Sequence, residues 1–137
     1  MKIYNEIIEM TTKQKREFVK LTERVKAAVQ KSGLQDGVVL VTSLHVNAGV
    51  FINDEEPGLL EDISEWANKL APESNPYKHP ARFESNASAH LQTLLLNHQA
   101  MVGFAQGRLE LGPWQEIFFA EFDGQRPRRI QVKVLGE

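Results

Sequence analysis

The chain contains no cysteine, and that absence removes disulfides, thiolate-bound metals and cysteine nucleophiles together. Any metal would have to be held by His, Asp or Glu. No apolar run approaches the length that crosses a bilayer. The opening MKIYNEIIEMTTKQKREF also lacks the uninterrupted apolar core of a secretion signal. A cytoplasmic protein with no membrane partner is therefore expected. Neither sign of charge is in excess: 16 Lys and Arg against 18 Asp and Glu leave a net charge of −2, with a pI near 6.1. Such a balance gives no electrostatic footprint for nucleic acid. There is no Walker loop, no GxGxxG and no GxSxG, so phosphate-loop, dinucleotide and serine-hydrolase chemistries lose their usual signatures. Repeats and low-complexity tracts are missing too.

What is present suits one domain over residues 1–137, with 42% hydrophobic and 25% charged residues. Residues 2–10 favour a strand, TTKQK a turn, and 17–21 a returning strand. Thr22 is a good N-cap for a helix over 23–31, and Gly33 fits its end. The continuous run VVLVTSL, 38–44, predicts a central strand covered on both faces. Residues 50–52 continue the sheet. Pro57 opens a helix whose Leu59, Leu60, Ile63, Trp66, Ala67 and Leu70 fall at helical spacing, ending at Pro72. Residues 73–84 predict a loop, and Asn86 can cap a helix over 87–96. Beyond Gln99 the pattern predicts a meander: strands at 100–104, 108–111, 115–122 and 128–135. Gln106-Gly107 turns the first pair, and residues 123–127 join the last two as a hairpin. The expected fold class is α+β, mainly antiparallel sheet with about three helices.

Four histidines, His45, His79, His90 and His98, are spread along the chain without a metal-type spacing. A lone histidine is more often a hydrogen-bonded structural residue, and His98, at a helix end, most simply meets the terminal carbonyls. Strand parity puts Gln115, Ile117, Phe119 and Glu121 on one face. If that face is covered, Glu121 needs a cationic partner. An ion pair with Arg128 or Arg129 is the plain reading; a carboxylate of altered pKa beside a pocket is the functional one. Asn53-Asp54-Glu55-Glu56, just before a helix, either complements its dipole or binds a divalent cation.

Three stretches carry a resemblance. LHVNAGVFINDEEPGLLEDI (44–63), NASAHLQTLLL (86–96) and GRLELGPWQEIFFAEFDGQRPRRIQVKVLGE (107–137) resemble, in order, segments of the YjbQ-like family, including its Trp-Gln signature and terminal LGE. Members are small α+β proteins that typically form trimers, so the resemblance implies a homotrimer. Bacterial members are described as secondary thiamine-phosphate synthases, which weakly join a pyrimidine diphosphate to a thiazole phosphate. The family's polar residues correspond here to His45, Asn53, Asp54, His79, Asn86, His90, Trp114, Gln115 and Glu121. The resemblance implies His45, His90 and Glu121 as catalytic residues. Asn53, Asp54, Asn86, Trp114 and Gln115 are implied to bind substrate. His45, His79 and His90 either bind a divalent metal, zinc or magnesium, or donate to the oxygens of a small phosphorylated or anionic ligand, and Arg82 or Arg108 could assist. Departures from the family pattern are Val46 and Asn47, where hydroxyls are common, Ser88 for a histidine, and Asp54 for a glutamate. They leave open a trimer that binds ligand or metal without turnover.

Overall fold

The computed structural model describes residues 1–79 and 86–137. Arg82 lies outside the described residues. Eight strands and three helices follow in the order β1 (Lys2–Thr11), β2 (Glu17–Lys20), α1 (Thr22–Ser32), β3 (Gly37–Ser43), β4 (Ala48–Asn53), α2 (Pro57–Leu70), α3 (Ala87–Leu96), β5 (Gln99–Ala105), β6 (Arg108–Leu109), β7 (Glu116–Glu121) and β8 (Pro127–Gly136). The fold is α+β, as the sequence predicts, and where a mainly antiparallel sheet is expected every strand pairing among the described residues is antiparallel. Among the described residues no helix is long and apolar enough to cross a membrane.

The strands make two sheets, ordered β1-β8-β3-β5-β6 and β2-β7-β4. This corrects two expected hairpins. β7 does not pair with β8, and β1 does not pair with β2: β8 lies between β1 and β3, while β7 lies between β2 and β4. Alternating hydrophobicity fixes which face of a strand is buried, but it is silent about which sheet receives the strand. The short hairpin at Gln106-Gly107 does form. Both residues have positive φ, 53° and 72°, the conformation of a two-residue type I′ turn.

Between the sheets lies the main core, built from Val39, Val41, Val50, Ile117, Phe119 and Val132, each without solvent exposure. Each such side chain contributes roughly 1.5–3 kcal/mol by leaving water. α1 closes one side, touching β1, β6, β7 and β8 and burying Val25, Ala28 and Val29. Thr22 is the first residue of α1 rather than its cap. Its Oγ1 accepts from the Ile117 amide at 2.9 Å, tying the helix to β7. α3 packs on β4 and α2 on α3, over a second cluster that joins Ala89 to Ala120 and Phe122. The strand with both faces covered is therefore β7. In β3, Val39 and Val41 face the core, whereas Val38, Leu40 and Thr42 on the outer face are half-buried.

Candidate functional site

β3 ends at Ser43 because the chain must turn into β4, and His45 sits in that connection. Its Nε2 accepts the Arg129 amide N–H at 2.9 Å. The imidazole thus does for β8 what a further β3 carbonyl would have done, directly after Leu44 N donates to the Arg129 carbonyl. A proton on Nε2 would face that N–H, so the ring is neutral with its proton on Nδ1. Burial, with Arg128 and Arg129 adding to it, pushes the His45 pKa below the ordinary imidazole value, and Glu121 opposes only part of this. Nδ1 has no protein partner among the described residues and is not sealed from solvent. That leaves it as the free donor.

His90 lies in the first turn of α3 and His79 in the segment before the helix. Their rings meet edge-on with centroids 4.9 Å apart. Two adjoining cavities share His90. One of about 470 Å³ is lined by His45, Val46, Thr93, Leu94 and His98; the other, about 320 Å³, by Tyr77, Lys78, His79, Ala87 and Leu91. No Asp or Glu lines either one among the described residues. A site with imidazole and ammonium donors but no carboxylate suits an anion. Among the described residues no three His, Cys, Asp or Glu side chains gather where they could hold an ion. For His45 to serve as a metal ligand through Nε2, that atom would have to release the Arg129 amide.

Glu121 is elsewhere in kind. It has no exposure, and both of its oxygens receive Arg128: Nε to Oε1 at 2.7 Å and Nη2 to Oε2 at 2.7 Å. Oε2 also accepts the Asp123 amide at 3.2 Å. The expected catalytic role for Glu121 finds no geometry here, because a carboxylate saturated and sealed in this way cannot reach a ligand. The ion pair is structural, and Arg128 rather than Arg129 supplies it. Asp123, buried beside it, accepts from Asn47 Nδ2 at 3.0 Å and Asn86 Nδ2 at 3.4 Å. Asn86 therefore spends its amide on Asp123 and makes no side-chain cap on α3. Asn47, where relatives of this pattern often carry a hydroxyl, gains a buried partner. Ser88 donates to the Ala71 carbonyl and belongs to the packing of α3 on the end of α2.

The remaining expected residues lie at the other end of the smaller sheet. In the β4–β7 register, Ala48 faces Glu121 while Asn53 faces Glu116. Five residue steps of strand separate the two ends by about 17 Å. Asn53 Oδ1 accepts the Asp54 amide at 2.8 Å. Glu56 caps α2, accepting from Gly58 and Leu59 amides at 3.0 and 2.6 Å, which is the dipole reading of the acidic run. The Gly112-Pro113-Trp114-Gln115 corner carries the chain from β6 in one sheet to β7 in the other, which a two-residue hairpin turn could not do. Gln115 closes it twice: its amide donates to the Gly112 carbonyl at 3.1 Å, and its Oε1 accepts the Gly112 amide at 2.7 Å. Trp114, at the tip, is 74% exposed.

Lys78, Tyr77 and His98 line these cavities although no motif or spacing in the sequence marks them as site residues. Among the described residues the His98 ring makes no bond to the α3 carbonyls; it lines the larger cavity instead. A single histidine after a helix carries the signal of a C-terminal cap, and only the return of β5 beside β3 brings it towards His45.

Two antiparallel sheets and three helices make this an α+β fold of the kind seen in solved YjbQ-like structures. The family described as UPF0047 protein YjbQ-like matches residues 6–137, and the chain belongs to it. Among curated relatives, a UPF0047 protein of Archaeoglobus fulgidus is 43% identical over 93% of this chain and 98% of its own length. One of Methanothermobacter thermautotrophicus is 36% identical over 100% of this chain and 95% of its own. A crystal structure described as a YbjQ-like protein of unknown function from Sulfolobus solfataricus superposes with a TM-score of 0.95 at 36% identity, covering 99% of each chain.

Proposed function

We propose that this protein is a small-molecule enzyme of the secondary thiamine-phosphate synthase type, assembled as a homotrimer and acting on phosphorylated ligands. The observation that carries the reading is the pairing of His79 with His90 beside Lys78, in adjoining cavities lined by no carboxylate among the described residues. The chemistry asks for little else. In joining a pyrimidine diphosphate to a thiazole phosphate, the thiazole nitrogen is already a nucleophile, so no base has to take a proton from it. A C–N bond forms as a C–O bond to pyrophosphate breaks, and the need is for donors to the departing phosphate oxygens. His79, His90 and Lys78 are such donors, and His45 Nδ1–H is a fixed neutral one beside the apolar part of the cavity. If a divalent ion held the phosphates instead, His79 and His90 would be ligands for it, and it would supply positive charge to the departing oxygens. Imidazoles without carboxylates favour zinc over magnesium in that role.

The test is formation of thiamine phosphate from the two phosphorylated precursors. His90→Ala is expected to abolish it, and undiminished turnover in that variant removes the proposal. The second reading, a trimer that binds an anion or metal without turnover, is favoured by the sealing of Glu121. It predicts phosphate or zinc binding by the native chain with no product formed.

A further inference from the structure

Away from the histidines, a cavity of about 270 Å³ opens between the start of β2 and the first half of α2. Its cation is Arg16, half-buried, with the guanidinium carbon 5.4 Å from the centre of the Phe122 ring. Nη1 donates to Gln92 Oε1, and Nη2 donates to the Ser64 carbonyl at 3.4 Å and to Ser64 Oγ at 3.3 Å. Gln92 has no exposure. Its Nε2 donates to the Ala71 carbonyl at 2.9 Å and to Ser88 Oγ at 3.1 Å, which fixes its oxygen towards the guanidinium. Every acceptor of Arg16 is therefore neutral, and among the described residues no carboxylate pairs with it. Three bonds from five N–H groups leave two donors over. Burial pushes the Arg16 pKa below the ordinary guanidinium value and Glu73 opposes this, but that carboxylate is turned to Lys15 at 3.8 Å. A half-buried cation with neutral partners and spare donors favours a counter-ion.

The same cavity also carries negative charge. Glu17 Oε1 accepts the Lys13 and Gln14 amides at 3.0 and 3.1 Å, which leaves Oε2 without a partner among the described residues. Glu61 is exposed on α2 beside it. A plain anion would meet two carboxylates and a plain cation would meet Arg16, so a molecule bearing both charges fits better than either. The remaining wall is apolar, made by Phe18, Leu60 and Phe122. Phe18 is held edge-on between Phe51 and Phe122, with centroids 5.2 and 6.4 Å away. The volume falls below the roughly 300–1,000 Å³ of drug-sized sites, too small for a nucleotide. We propose that this cavity binds a free α-amino acid with an apolar side chain. The carboxylate takes the spare Arg16 donors, the ammonium faces Glu17 and Glu61, and the side chain lies on Phe18 and Leu60. No residue that lines this cavity lines the histidine cavities, so its occupation does not depend on the transfer reading.

Leucine is the probe, with isocaproate and isopentylamine as analogues that lack its ammonium and its carboxylate. Equilibrium dialysis of radiolabelled leucine against the native chain is expected to show saturable binding. Each analogue should compete about tenfold less well than unlabelled leucine, because each leaves one charge of the site without its partner. Leu60→Trp fills the apolar wall without touching the guanidinium and is expected to abolish leucine binding. Glu61→Gln, at an exposed position, should weaken leucine by about threefold and make isocaproate the relatively better competitor. Both variants leave the bonds among Arg16, Ser64 and Gln92 in place, so their effect is read on a folded chain. Three results overturn the proposal: no saturable leucine binding, an analogue that competes as well as leucine, or undiminished binding by Leu60→Trp. None of these measurements involves turnover, so failure of the transfer reading with His90→Ala is seen separately.

Discussion

Glu121 and Arg128 meet through two parallel hydrogen bonds of 2.7 Å, with side chains only 0% and 3% exposed. The pair bridges the two sheets: Glu121 ends β7 and Arg128 is the second residue of β8. Arg128 Nη2 also donates to the Asp123 carbonyl at 3.0 Å, which fixes the turn between them. Since β7 and β8 share no ladder, this contact replaces the missing hairpin bonds as the local tie.

Removing one partner leaves the other charge buried and unpaired. Glu121→Gln or Arg128→Met should therefore destabilise the fold by about 3–5 kcal/mol, read as a lower urea midpoint. Replacing both with apolar residues should cost clearly less than either alone. A Glu121→Gln variant of native stability that has lost only activity would contradict the structural role assigned here.

His45 gives stability a pH dependence whose sign follows from its bond to the Arg129 amide. Its pKa is lowered below the ordinary 6.5. As pH falls through that value the unfolded chain takes up a proton that the folded chain does not, so the folded state loses ground. This contribution is fully present above 6.5 and is lost progressively down to the folded pKa. Denaturant titrations between pH 7.5 and 5 should show it, and His45→Gln should flatten that part of the profile. An unchanged slope in the variant would mean that the ring does not stay neutral.

The elements were legible where local chemistry decides them. Pro57 with the spacing from Leu59 to Leu70 marks α2, and Gln106-Gly107 marks its turn. Strand parity in 115–122 correctly demanded a cation for Glu121. Pairing was not legible, because Phe118 to Phe122 look the same whether β7 joins β8 or lies between β2 and β4. The caps expected of Thr22 and Asn86 failed for a related reason. Both side chains are claimed by partners distant in sequence, the Ile117 amide and Asp123. The adjacency of His79 and His90 came from the family resemblance rather than from spacing. That Trp114 sits at the opposite end from His45 could not be read at all, since periodicity gives a residue's face but not its neighbours along the sheet.

Gly124 is required by close approach rather than by its backbone angles. A Cβ there would sit 2.3 Å from Thr12 Oγ1, 2.6 Å from the Gln14 carbonyl oxygen and 2.6 Å from Glu121 Cγ. Two of these groups are engaged, Thr12 Oγ1 with the Gln125 amide and Glu121 with Arg128, so neither yields freely. Gly124→Ala should cost about 1–3 kcal/mol and lower the melting temperature. A neutral result would show that the turn shifts without disturbing the ion pair.

Lys78 separates an anion-binding cavity from one that merely contains histidines. It lines the smaller cavity with His79 and His90 but is itself exposed, so its pull on a bound anion is screened. Lys78→Ala should weaken inorganic phosphate binding by about 1 kcal/mol, roughly fivefold, and should make the remaining affinity less sensitive to salt. Lys78→Arg should keep most of the affinity because charge, not shape, is needed from a side chain as exposed as this one. Calorimetric titration at low and high salt reads both effects. If Lys78→Ala binds phosphate as the native chain does at low salt, where the effect is largest, the phosphate does not sit among these donors, and the cavity beside His45 and His98 is the place to look for it.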